Sequence, residues 1–193
     1  MTGASDTAAL VWALNTRLIA GATATDTLLA WCDEHGLSEG PITVEISQSF
    51  APAVVPDEVL PALELDPGDT IHYRQVRLMR GSLPLAAAEN WFVPQRLTAA
   101  MNEALIETNV PFGRVIAPLQ PARRLLAVHP QPHAEIILHH SAVILSKPGT
   151  ALAFVKESYF SDLVAFASAP SPMHEPVRES PVRSKSQSMR LVR

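Results

Sequence analysis

The chain has 193 residues, 47% hydrophobic and 18% charged, which suits one soluble domain of moderate size with a genuine core. A formal charge of −4 gives no electrostatic case for nucleic acid, and no apolar run approaches the ~20 residues needed to span a bilayer. The single cysteine, Cys32, excludes an internal disulfide and any cysteine-based metal cluster.

The start, "MTGASDTAAL", lacks the basic and apolar segments of a secretion signal, so a reducing, cytoplasmic setting is the expectation. Ser5 and Asp6 can cap a first helix over 7–19, on which Leu10, Leu14 and Leu18 recur every four residues. "DTLLAWCDEHG" predicts a second short helix stopped by Gly36. "ITVEISQSF" (42–50) and "TIHYRQVRLM" (70–79) are rich in β-branched and aromatic residues and predict strands. "GSLP" turns the chain into "LAAAENWFV" (85–93), a hairpin partner that Pro94 ends. "QRLTAAMNEALIE" then predicts a helix of about three turns. "TNVPFGRVIAP" (108–118) reads as a turn beside a charge. Two further strands, 134–145 and 151–160, follow with the turn "SKPG" between them. Helices at one end and a mostly antiparallel sheet make an α+β layer fold.

From Ser168 onward proline, serine and charge replace apolar periodicity, and five basic residues stand against two acidic ones. This tail of 168–193 is expected to be disordered, because it offers too little apolar surface to offset the entropy of ordering. Its charge of +3 leaves −7 on the body, a single domain over residues 1–167.

Charged residues inside apolar strands point to a site. Side chains alternate along a strand, so Arg74 shares a face with Val76 and Leu78, whereas Arg77 shares the other with Gln75 and Met79. Glu157 lies with Val155 and Tyr159, and Glu89 with Ala87 and Trp91. An arginine on an apolar face needs an anionic partner, so the plain reading is an internal ion pair between Arg74 and one of these glutamates. The alternative is that these charges serve a ligand.

"RQVRL", "LPLAAAENWFVPQRLT", "TNVPFGRVI" and "PGTALAFVKESYF", in this order, resemble the chorismate lyase (chorismate–pyruvate lyase) family over roughly residues 7–164. "TATDTLL" (23–29) is similar to the family's opening of the second helix. The resemblance implies that Arg74 pairs with a carboxylate of substrate and product. It also implies that the Phe112 backbone N–H reaches the product carboxylate and that Glu157 meets the ring hydroxyl at the far end of the pocket. Gly113 would then permit close approach, and Arg114 matches the family's arginine after the glycine, with a surface charge closing the turn as the plain alternative. Arg74 and Glu157 are thus the expected catalytic residues. The implied reaction, loss of pyruvate from chorismate to give 4-hydroxybenzoate, aromatises a ring and needs no metal or other cofactor. Its product would feed quinone or aromatic secondary metabolism. The expected partner is the small-molecule substrate, with no nucleic acid, no membrane insertion and a monomeric state. The alternative is a non-catalytic binder of an aromatic or cyclic carboxylate.

One departure stands out. Where the family carries a run of arginines before the last strand pair, this chain has "HHSAV" (139–143). As ordinary strand residues, His139 and His140 would lie on a solvated face. Histidines 129, 133, 139 and 140 lack the carboxylate spacing of a metal site. Trp12, Trp31 and Met101 read as core, and Cys32 as a buried small residue.

Overall fold

A computed structural model describes residues 3–21, 23–49, 55–132, 134–147 and 149–168. The expected tail and His133 lie outside them, save that residue 168 closes the last 3-10 turn, Ala165–Ser168. Two helices open the chain, α1 (Gly3–Ala20) and α2 (Ala24–His35). The four-residue leucine spacing turns one stripe of α1 inward, with Val11, Leu14 and Leu18 fully buried. The Thr23 side chain accepts a hydrogen bond from the Asp26 N–H and so caps α2. At the other end Gly36 adopts φ 64°, and the N–H of Leu37 reaches the Cys32 carbonyl at 2.9 Å. That is the left-handed stop glycine provides without a Cβ clash. Trp31 is buried as expected, whereas Trp12 is 55% exposed because it lies on the outward side of α1.

Six strands follow: β1 (Ile42–Ser49), β2 (His72–Arg80), β3 (Leu83–Phe92), β4 (Ala122–Pro130), β5 (Ile136–Leu145) and β6 (Ala151–Phe160). They form one antiparallel sheet in the order β1-β2-β3-β6-β5-β4, two three-strand meanders joined where β3 meets β6. The α+β layer architecture expected from the sequence is therefore present. α1 and α2 cover one sheet face over Val44, Val76, Leu78, Ala86 and Ala88. The short helix α3 (Val59–Leu63) covers part of the other, over Tyr73, Trp91 and Phe154. Among the described residues no helix is long and apolar enough to cross a membrane.

Three local structures differ from the sequence expectation. The helix expected from Gln95 begins later: Pro94–Arg96 forms a 3-10 turn, and Thr98 then caps α4 (Ala99–Glu107) by accepting from the Met101 N–H. Arg96 is drawn aside by the carbonyls of Leu63 and Ala151 and by the Asp69 carboxylate. The Pro-Phe-Gly turn winds into a single helical turn, α5 (Phe112–Val115). β4 has no counterpart among the expected strands; it is the sheet edge, and half-polar edge strands carry little apolar alternation.

The helical layer is tied to the 3-10 turn after β6 (Ser161–Leu163) through Trp31, whose Nε1–H donates to the Leu163 carbonyl at 2.9 Å. Trp31→Phe keeps an aromatic ring but leaves that buried carbonyl without its donor. It is expected to lower stability by roughly 1–3 kcal/mol, read by urea unfolding.

Candidate functional site

Strand pairing brings the charged residues of the covered face into register. Arg74 pairs across to Asn90, which pairs with Val155; Ala88 pairs with Glu157, which pairs with His140. Glu89 lies on the opposite face, where it accepts from the Tyr73 hydroxyl at 2.7 Å, and so is no partner for Arg74. His140 likewise corrects the solvated-face expectation: it is 2% exposed and points into the covered layer, while His139 lies beside Ser158 on the other face.

A cavity of about 60 Å³ lies between this face and the helices. That is several times the room one ordered water requires. Val76, Leu78, Ala88, Ile144 and Val155 form an apolar floor. The start of α2 (Thr23 to Thr25) and the α5 segment (Pro111, Phe112, Gly113) form the roof, and Arg123 and Glu157 stand on the wall. Of the residues singled out in the sequence, Phe112, Gly113 and Glu157 therefore meet at one cavity. A Cβ at Gly113 would touch the Thr23 side chain at 3.5 Å, an ordinary contact, so internal packing does not demand glycine there.

Arg74 does not line this cavity. It is almost fully buried, and its Nη2 and Nη1 donate to the carbonyls of Thr108 and Val110 at 2.9 and 3.1 Å. The intervening Asn109 carbonyl accepts from the Val44 N–H at 3.1 Å. Three successive carbonyls are thus fastened to the sheet immediately before α5. Arg74 holds the loop that carries Phe112, and burial without a carboxylate lowers its pKa. Arg114 faces outward and meets Asp26 at 3.4 Å, both largely exposed, which makes it the surface charge closing the turn.

The wall cation is Arg123, on the strand the sequence reading left out. Its side chain is 6% exposed and its Nη2 donates to Glu157 Oε2, so the internal ion pair exists with a different arginine from the one expected. Tyr159 Oη donates to the same carboxylate oxygen at 2.7 Å. Arg123 Nη2 also lies 3.2 Å from His140 Nδ1, while His140 Nε2 lies 2.8 Å from Asn15 Oδ1 on α1. A neutral imidazole that donates to Asn15 and accepts from Arg123 fits both contacts. Burial and then the Arg123 charge push His140 down to about 4. Burial opposes the Arg123 charge, but the Glu157 carboxylate and Tyr159 outweigh it and its pKa is raised. Burial, and next Glu157, push the Tyr159 hydroxyl well up. Arg123 Nε and Nη1 are buried with no hydrogen-bond partner. The signal that could have found Arg123 is the period-two pattern Arg123, Leu125 in "ARRLLAV". Among the described residues, no three His, Cys, Asp or Glu side chains gather as a metal site.

No protein family model matches the chain. It is 33% identical over 193 residues to the uncharacterized protein y4mC of Sinorhizobium fredii, covering 87% of this chain and 79% of that one. Among solved structures it is similar to the effector domain of PhnF from Mycobacterium smegmatis. The TM-score there is 0.52 at 11% identity, over 73% of this chain and 90% of that one. The longer PhnF structure gives 0.52 at 9% identity, over 74% of this chain and 65% of that one. At such identities these likenesses show the fold.

Two outcomes test this arrangement. Because the folded His140 titrates near 4 against an ordinary 6.5, the unfolded chain takes up a proton that the native state refuses. Stability is therefore lost as pH falls from about 6.5 to about 4, by roughly 2–4 kcal/mol. Urea unfolding should show that loss shrinking in His140→Asn. Arg74→Met, which abandons two backbone carbonyls, is expected to lower stability by roughly 2–4 kcal/mol. Unchanged stability with lost ligand affinity would instead mark Arg74 as a ligand clamp.

Proposed function

The chain belongs to the family of the Sinorhizobium fredii protein y4mC, and we propose that it takes a small cyclic or aromatic carboxylate into the cavity and eliminates pyruvate from chorismate to leave 4-hydroxybenzoate. The observation that carries this reading is the Arg123–Glu157 pair on the wall of a mostly apolar cavity, with two guanidinium nitrogens, Nε and Nη1, unpartnered. Apolar walls suit a six-membered ring, and a buried guanidinium suits a carboxylate. A carboxylate beside it can act as a base. Glu157 takes the proton from the hydroxyl-bearing ring carbon, and those electrons form the new ring double bond as the ether C–O bond breaks. The leaving enolpyruvate is stabilised by Arg123 and then accepts a proton on carbon to become pyruvate. Arg74 acts through the Thr108 to Val110 loop, by holding Phe112 and Gly113 over the ring.

One observation favours a second reading, a non-catalytic binder of a ring carboxylate. Chorismate carries two carboxylates, and the wall offers one arginine because Arg74 is engaged elsewhere. Incubation with chorismate separates the two. The lyase releases pyruvate and 4-hydroxybenzoate in equal amounts, and Arg123→Met lowers kcat/KM by about 10²–10³-fold. Binding of 4-hydroxybenzoate with no pyruvate released would leave the binder; absence of both would remove the proposal.

A further inference from the structure

We infer that Glu157 stands in for a ligand's carboxylate at Arg123, so that a carboxylate ligand binds by displacing it. The inference rests on the cavity taking a carboxylate, and it names what regulates entry to that site. A guanidinium offers a carboxylate two edges, Nε with Nη2 and Nη1 with Nη2; Nε and Nη1 share no edge, because Cδ lies on that side. Nη2 thus belongs to both. It is the engaged atom, bonded to Glu157 Oε2 and 3.2 Å from His140 Nδ1, whereas Nε and Nη1 have no partner.

Nε and Nη1 are themselves buried, so an incoming carboxylate reaches an edge of the guanidinium only as a group at Nη2 gives way. To gain two parallel bonds it must take an Nη2 proton from His140 or from Glu157. His140 is fixed: it is buried, bonded to Asn15 at 2.8 Å, and its ring stands edge-on to Tyr159 with centroids 5.3 Å apart. Glu157 is not. It borders the cavity, is 14% exposed, and keeps the Tyr159 hydroxyl as an anchor when it leaves Arg123. Exchanging one carboxylate for another keeps Arg123 paired throughout, which avoids a bare buried cation. A neutral ligand has no charge with which to compete, so the cavity selects anions by competition.

Glu157→Gln removes the competitor's charge while keeping its shape and its acceptor for Tyr159. Calorimetric titration should show this variant binding 4-hydroxybenzoate about tenfold more tightly than the wild type. The neutral isostere 4-hydroxybenzamide should bind both proteins alike. The unliganded variant should melt lower, and 4-hydroxybenzoate should raise its Tm by more than it raises that of the wild type. Equal or weaker 4-hydroxybenzoate binding by the folded variant, or an equal gain with the benzamide, overturns the inference. If Glu157→Gln does not fold, Glu157→Asp, one methylene shorter and a poorer match for Arg123, should move affinity the same way by a smaller factor, and unchanged affinity overturns it. Pyruvate release by the wild type reports the lyase reading separately. Failure of every protein to bind 4-hydroxybenzoate would end both.

Discussion

A guanidinium buried in a protein layer is costly unless acceptors meet it, and two such groups on one face of the sheet organise this molecule. Arg123 takes a carboxylate, and Arg74 takes backbone carbonyls. The second choice draws Thr108 and Val110 down to the sheet and thereby sets where α5 begins. The first choice holds Glu157 on the wall and, through His140, reaches Asn15 on α1. The roof and the wall of the cavity are therefore each referred to the same rigid sheet by an arginine.

The placement of polar groups explains why the cavity stays open. Tyr159, Glu157, Arg123, His140 and Asn15 form a connected chain of donors and acceptors, so the side chains that could collapse inward are held by one another. A neutral His140 is essential to that chain. A charged imidazole would present a proton to Arg123 and break the contact that fixes the guanidinium plane.

Much of this was legible from alternation. Period two put Arg74 and Glu157 on the covered face, and the four-residue leucine spacing identified the inward side of α1. The cap at Thr23 and the stop at Gly36 lie where helix-end chemistry places them. Pairing was not legible. Which acid meets which base depends on strand order, and Glu89 could be separated from Arg74 only once the register fixed its face. β4 escaped because its pattern, Arg-Arg-Leu-Leu-Ala, mixes charge and apolar character at an edge paired on one side only, with a register shift between Leu125 and Ala127. His140 was misplaced for a related reason: a histidine in a strand carries no mark of its face until its neighbours across the sheet are known. The loop acceptors of Arg74 were equally hidden, since backbone carbonyls are present at every residue and sequence distinguishes none of them.

β4 carries its cation as a doublet, Arg123 followed by Arg124, opposite Ile144 and Val143 of β5. A strand that slips by one residue turns its entire inward set outward, and an edge strand is the part of a sheet where insertions and deletions do least harm. For most sequences such a slip would empty the cavity of charge. Here, moving β4 by one residue in one direction replaces Arg123 with Arg124 opposite Ile144, so the guanidinium survives the error. The repeated arginine thus makes the wall charge independent of a one-residue slip of β4 in that direction, and Glu157 keeps a cation within its face of the sheet.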